Sequence, residues 1–175
     1  MKTTLLNNWI RKQKKINNME VSRVNFNEMD KWIFDQSKIY NKNKNFFSIF
    51  PYKFTKNNKF FFYQPLIIQK EVGILGILKK KINFIDYYLL QAKVEPGNVN
   101  NIQLSPTVQA TKSNFLQKHG GKKTRYLDFF IRKNSNTNII TNLKLSEQGT
   151  RYYEKFNQNI LIDIKKKKLK SFSNF

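Results

Sequence analysis

Cysteine is absent from these 175 residues, histidine occurs once, and there are only six glycines and four prolines. Without thiols the chain can form neither disulfides nor thiolate metal sites, and a lone His119 cannot build an imidazole cluster. No HExxH, P-loop, GxGxxG or magnesium-binding carboxylate cluster is present; Gly73 and Gly76 sit inside an apolar stretch, where they read as packing glycines. His119, beside Gly120 and Gly121, reads as a loop residue. Long apolar runs are missing too, because Lys, Asn or Gln interrupts every stretch of membrane-spanning length, so no membrane partner is expected. The start, MKTTLLNNWIRKQKK, holds no signal-peptide core or small-residue cleavage site, and the expectation is a cytoplasmic protein.

Arginine is scarce as well. Of 33 basic residues only Arg11, Arg23, Arg125, Arg132 and Arg151 are arginine, in a chain of net charge +22. Such charge attracts polyanions. Base edges and phosphates, however, are gripped most specifically by the planar guanidinium fork, which lysine lacks. Joint enrichment in Lys, Asn, Ile and Phe reflects an AT-rich coding sequence, so nucleic acid is not the expected partner, and Lys165–Lys168 reads as a solvated end.

What is present is aromatic and β-favouring. Residues 4–16 predict a basic helix with Leu5, Leu6, Trp9 and Ile16 as apolar positions, and a second short helix is expected at Glu28–Phe34, capped by Asn27. Asn41–Asn45 is a polar turn. Phe46–Phe54 and Phe60–Gln69 predict strands joined by Lys56-Asn57-Asn58-Lys59, and Gly73–Ile82 and Ile85–Glu95 predict two more joined near Asn83. A helix from Thr111 to His119, a helix or strand over Arg125–Lys133, a strand at Asn138–Leu145, a helix from Ser146 through Phe156 and a closing strand at Ile160–Ile164 complete the reading. The sum is an α+β chain with a mainly antiparallel sheet flanked by short helices. Its parts are a basic N-terminal extension (1–18), one domain (19–165) and a basic tail (166–175).

One stretch escapes the lysine-rich background. Leu89–Thr111, LLQAKVEPGNVNNIQLSPTVQAT, carries only Lys93 and Glu95 as charges. Period-two geometry puts Gln91, Lys93 and Glu95 on one strand face, successive members about 7 Å apart. Pro96-Gly97-Asn98 ends that strand with turn chemistry. Across Gln103–Thr111, alternation sets Leu104, Pro106, Val108 and Ala110 against Gln103, Ser105, Thr107, Gln109 and Thr111. Pro106 cannot donate to a ladder and marks an edge strand, a bulge or an extended loop. Taken alone, such a pattern is a half-solvated strand, and Lys93–Glu95 an ordinary surface pair. This chain, however, paints its solvent faces with lysine, and this face has none. A lined cavity for a hydroxyl-rich ligand such as a sugar is the reading adopted.

The segments QPLIIQKEVGILGIL (Gln64–Leu78), LLQAKVEPGNVNNIQLSPTVQATKSNF (Leu89–Phe115), SEQGTRYYEKFNQN (Ser146–Asn159) and NFFSIFPYKF (Asn45–Phe54) resemble the NDP-hexose 2,3-dehydratase family. The resemblance implies a Nudix-like fold without the Nudix metal box, and a substrate of the dTDP-4-keto-6-deoxyglucose type. It also implies two such units in tandem, of which this chain is similar to the first; a truncated or split form is therefore expected, and with it an inactive half-enzyme as the alternative to an active one. A basic RNA- or anion-binding module is the rival reading. Lys112 stands where the family has arginine, Phe115 where it has tyrosine, and Glu154–Gln158 where it has an arginine-rich stretch.

The chemistry implied is removal of the C3 proton next to the C4 ketone and loss of the C2 hydroxyl, with no metal or redox cofactor. Glu95 is then the expected base and Lys93 the cation for the developing oxyanion. Gln91, Asn98, Gln103, Ser105, Thr107, Gln109, Thr111 and Asn114 are the expected sugar and pyrimidine contacts; Lys112, Arg125 and Arg151 are those for the diphosphate. The expected partner is a second unit or another copy, packed on the apolar faces of Gly73–Ile82 and Gln103–Thr111.

Overall fold

The computed structural model describes residues 3–17, 19–43, 46–116, 123–132, 137–165 and 168–175. His119 and the last residues of the predicted Thr111–His119 and Arg125–Lys133 elements lie outside them. Among the described residues, no helix is long and apolar enough to cross a membrane. The chain divides into two compact units: one of Met1–Ser22, Gly73–Leu143 and Gln158–Phe175, the other of Arg23–Val72 and Lys144–Asn157.

The second unit is built on a four-stranded antiparallel meander: β1 (Trp32–Phe34), β2 (Ile39–Asn41), β3 (Ser48–Lys56) and β4 (Lys59–Ile68). The helix expected at Glu28–Phe34 is not there. Phe26–Glu28 makes a single 3-10 turn, because Glu28 folds back to accept from the Asn25 N–H (2.9 Å) and side-chain amide (2.8 Å), which puts the cap at Asn25 instead of Asn27. Trp32–Phe34 then enters a strand, as its aromatic and β-branched residues favour. The Asp35 carboxylate holds the β1–β2 turn by accepting from the Ser37 and Lys38 N–H groups at 2.7 and 2.9 Å; those bonds lower its pKa, the Ser37 bonds most.

β3 and β4 meet in a two-residue hairpin in which Asn57 and Asn58 both have positive φ (51° and 60°), the conformation whose twist matches paired strands. Phe54 stacks on Phe62 at 4.6 Å and Tyr52 on Tyr153 at 4.8 Å. The helix expected from Ser146 through Phe156 is likewise replaced. Gln148 starts a turn by accepting from the Arg151 and Tyr152 N–H groups, each at 2.9 Å. Tyr152 then bridges to Ile67, with Ile67 N–H on the Arg151 carbonyl (2.7 Å) and Tyr153 N–H on the Ile67 carbonyl (3.0 Å). The pull of an open strand edge outweighs the helix-starting signal of Ser146.

The first unit begins with α1 (Thr3–Ile16), close to its expected span. The six-stranded sheet runs in the order β7 (Ile102–Pro106), β6 (Ile85–Val94), β5 (Gly73–Ile82), β10 (Phe156–Asp163), β9 (Asn138–Ser146), with β8 (Val108–Ala110) also paired to β5. Two short helices, α2 (Lys112–Phe115) and α3 (Asp128–Ile131), complete it. The mixed α+β, mainly antiparallel architecture is the expected one. Ile74, Leu78, Val108, Ala110, Leu127, Ile160, Ile162 and Ile164 form a buried cluster, each large side chain contributing about 1.5–3 kcal/mol.

The apolar faces of Gly73–Ile82 and Gln103–Thr111, expected to await a second unit, are covered within the chain at Ile74, Leu78, Val108 and Ala110, with Phe129, Phe130 and Leu169 packed against the cluster, while Leu104 and Ile82 stay 43% and 46% exposed. Gly76 is the packing glycine it reads as, since a Cβ there would stand 2.3 Å from the Phe130 ring. At the β5–β6 tip, Ile82, Phe84 and Ile85 are 46%, 96% and 58% accessible.

The predicted Gln103–Thr111 strand is two strands. β7 pairs with β6 (Leu90↔Pro106 to Val94↔Ile102), and β8 pairs with β5 (Ile74↔Ala110 to Gly76↔Val108). β5 and β6 themselves pair only from Leu78↔Leu89 to the tip. Where they part, Thr107 is inserted with 1% of its surface exposed; its hydroxyl accepts from the Leu78 N–H at 3.0 Å and donates to the Leu89 carbonyl. Pro106 sits on edge strand β7, where its missing donor costs nothing.

Two outcomes follow from these geometries. Thr107→Val removes both bonds at constant shape and should lower unfolding free energy by about 2 kcal/mol, with Thr107→Ser losing less, in urea titrations. Phe84, at φ 64° in the second central position of its turn, sits where glycine is favoured; Phe84→Gly should raise stability by about 1 kcal/mol.

Candidate functional site

Parting the sheet opens a cleft. Beyond Leu89 the chain of β6 pairs only with β7, and beside its other edge lies a cavity of about 420 Å³. Its wall carries Gln91, Lys93, Thr107, Gln109 and Arg125 from the predicted set. The remaining lining was not predicted: Gln13 and Ile16 from α1 with Asn17 just after it, Ala92 and Val94 from β6, Lys123 and Thr124 before α3, and Ser173–Phe175.

The polar side chains of β6, β7 and β8 form one connected network. Lys93 Nζ lies 2.8 Å from Glu95 Oε1, and Gln109 Nε2 donates to the same oxygen at 3.2 Å. Ser105 Oγ donates to Gln109 Oε1. Gln91 Nε2 donates to the Pro106 carbonyl at 2.9 Å, tying β6 to the crossing point. Period-two alternation thus places Gln91, Lys93 and Glu95 together as read from the sequence, and the β7–β8 break brings Gln109 across to them. Glu95 itself stands one hydrogen bond behind the cleft wall, held by Lys93 and Gln109, with 40% of its side chain exposed.

Other predicted contacts fall elsewhere. Asn98 holds the turn after β6, its amide 3.4 Å from the Lys93 and Asn101 carbonyls. Gln103 pairs with Lys93 in the ladder but is exposed at the sheet edge. Ser105 is buried behind Gln109. Thr111 precedes α2, with its hydroxyl 3.2 Å from Ser113 Oγ, and Lys112 and Asn114 are exposed on that helix. Arg151 is exposed in the turn of the second unit. None of these residues lines the cleft.

The signals for the unpredicted lining are faint but real. Gln13 falls three to four residues after Trp9 and Ile10, on the apolar stripe of α1, and is 2% exposed; a polar residue on an apolar stripe needs a partner. Its amide finds the Ser173 carbonyl at 2.6 Å. The tail segment reads as solvated by charge alone, yet Phe172 and Phe175 pack edge-on against Tyr126 at 5.4 and 4.8 Å.

A second depression of about 500 Å³ shares Lys123, Thr124 and Arg125 with the cleft and adds Tyr126, Asp128, Phe129, Lys170 and Phe172, with Lys123 3.5 Å from Asp128. Burial pushes the Tyr126 phenol pKa up against the opposing pull of Arg125, so its hydroxyl remains a donor, here to the Lys170 carbonyl. Among the described residues, no group of three His, Asp or Glu side chains gathers to hold a metal.

The sequence model of the NDP-hexose 2,3-dehydratase family matches residues 3–175. Three curated relatives align with the chain, each named dTDP-4-dehydro-6-deoxy-alpha-D-glucopyranose 2,3-dehydratase. The protein from Saccharopolyspora spinosa is 38% identical over 93% of this chain and 34% of its own length. That from Amycolatopsis orientalis is 34% identical over 93% and 36%, and that from Streptomyces violaceoruber 32% over 89% and 36%. The chain therefore spans about a third of the length of the relatives it matches.

In the second unit, one buried cation needs an account. Lys155 is 4% exposed, its ammonium donates to the Glu71 carbonyl, and burial pushes its pKa below 10.5 against the opposing fields of Glu147 and Glu71. The folded state then binds fewer protons than the unfolded one between the lowered value and 10.5, so this residue makes stability rise with pH through that window. Denaturant midpoints measured from neutrality to pH 10.5 should climb less steeply in Lys155→Met than in the parent.

Proposed function

We propose that this chain, which belongs to the NDP-hexose 2,3-dehydratase family, binds a dTDP-4-keto-6-deoxyhexose in the first-unit cleft as part of a 2,3-dehydratase. The observation that carries the reading is the convergence of Gln91, Lys93, Thr107, Gln109 and Arg125 on one polar cavity. Side-chain amides suit sugar oxygens. Lys123 and Arg125 at the shared rim suit a diphosphate, and the Tyr126 and Phe129 rings beside them suit a pyrimidine.

In a 4-keto sugar the ketone acidifies the C3 hydrogen. A carboxylate takes that proton, the electron pair moves onto the C4 oxygen as an enolate, and it returns to expel the C2 hydroxyl, which leaves as water once protonated. The resulting enol tautomerises to a 3,4-diketone. Lys93 is the cation on the cleft wall for the enolate oxygen, and Glu95 the carboxylate bonded to it at 2.8 Å. The arrangement supports an exchange. When the Lys93 ammonium turns to the substrate oxygen, Glu95 loses one of the donors on its Oε1 and becomes available as the base.

A narrower reading is binding without turnover. It is favoured by the position of Glu95 behind the cleft wall and by the third of the relatives' length that the chain spans. Calorimetry with dTDP and with inorganic phosphate, followed by an assay for loss of dTDP-4-keto-6-deoxyglucose, separates the readings. The expected result is dTDP binding well above that of phosphate, with Glu95→Gln keeping the binding and abolishing elimination. Binding without turnover in the parent supports the narrower reading. Equal weak heats from both ligands, falling steeply with salt, reject both in favour of a polyelectrolyte binder.

A further inference from the structure

Four donors at the cleft find their acceptors in one segment. The Ala92 N–H, on the edge of β6 left open by β5, donates to the Asn174 carbonyl at 2.8 Å. The Gln13 amide and the Trp9 indole N–H donate to the Ser173 carbonyl at 2.6 and 3.3 Å. The Arg125 guanidinium donates to Asn174 Oδ1 and lies 4.2 Å over the Phe172 ring. Three oxygens of residues 173 and 174 thus sit where a polar cleft presents its donors.

With the segment in place Gln13 and Ala92 are 2% and 6% exposed, and donors so buried need acceptors. In the segment that satisfies them, Ser173 is exposed and Asn174 half-buried, between Phe172 and Phe175 that pack on Tyr126. Such an arrangement lets one set of oxygens replace another with no donor left unpaired, so exchange costs little in hydrogen bonds.

We propose that Ser173–Phe175 is an internal occupant of the cleft, and that the oxygens of a nucleotide diphosphate displace it from Arg125, Gln13 and Ala92 on binding. This rests on the nucleotide-sugar reading of the cleft and adds a gate to it. Ligand affinity is then set by competition with the segment, and Asn174 is the residue that holds Arg125 away from phosphate.

The test uses the whole chain labelled with 5-fluorotryptophan, which gives one fluorine resonance each for Trp9 and Trp32, assigned by the signal lost in Trp9→Phe. Both dTDP and inorganic pyrophosphate are titrated into the parent and into Asn174→Ala. The expected result is that either ligand shifts the Trp9 resonance as its indole loses Ser173, while Asn174→Ala binds dTDP about three- to tenfold more tightly because Arg125 is released. If dTDP binds by calorimetry with the Trp9 resonance unmoved, or with equal affinity in Asn174→Ala, the gate is overturned and the nucleotide-sugar reading stands. If pyrophosphate shifts Trp9 but dTDP does not bind, the gate stands and the nucleotide reading falls. Absence of binding by both ligands in both proteins overturns the two together.

Discussion

A single hydroxyl decides how this chain uses its largest sheet. Thr107 sits where β5 and β6 stop pairing, and it gives each strand what the other has withdrawn: an acceptor for the Leu78 N–H and a donor for the Leu89 carbonyl. An unpaired buried backbone group costs about 1–3 kcal/mol, so two strands cannot simply part inside a core. With the clasp in place they can. The chain then crosses from the outer edge of β6 to β5 within one residue, and the space between the diverging strands becomes a cavity in place of a defect.

Everything site-like in the first unit follows from that parting. β6 keeps its Gln91, Lys93 and Glu95 face, β8 swings Gln109 to the same side, and the vacated edge of β6 is closed by the Asn174 carbonyl. The hydrophobic cluster beneath is complete without help: Leu78, Val108, Ile162 and Ile164 are each 2% exposed or less. A rigid floor and a polar wall are what a small polar ligand needs to be held in one orientation.

The strands, hairpins and α1 were legible because each carries a local signal: period-two alternation in β6, Asn-rich turns at Asn57-Asn58 and Asn83-Phe84, helical apolar positions at Leu5, Leu6, Trp9 and Ile16. The connected polar face was legible for the same reason, since alternation fixes which side chains share a side. Apart from the Glu28–Phe34 helix, undone by the local Asn25–Glu28 cap, the failures were non-local. Ser146 is a fair helix start, but the open edge near Ile67 captured the residues after it. Gln103–Thr111 alternates as one strand, but two different partners divide it at Thr107. Gln13 and Asn174 drew no reading because their partners lie 160 and 49 positions away. No window of sequence holds such pairs.

The two tight hairpins also order events in time. β3–β4 and β5–β6 close over a few residues and need little loop entropy, so they form on the scale of about 1–10 µs expected of isolated hairpins. The Thr107 clasp must close a span of 29 residues, and the Gln13–Ser173 contact one of 160. Such long-range closures come late in folding. The cleft is therefore assembled last, around pre-formed hairpins, and by the same logic it is the part that opens first in the native ensemble. Amide exchange at Ala92 should then be governed by local opening and not by global unfolding.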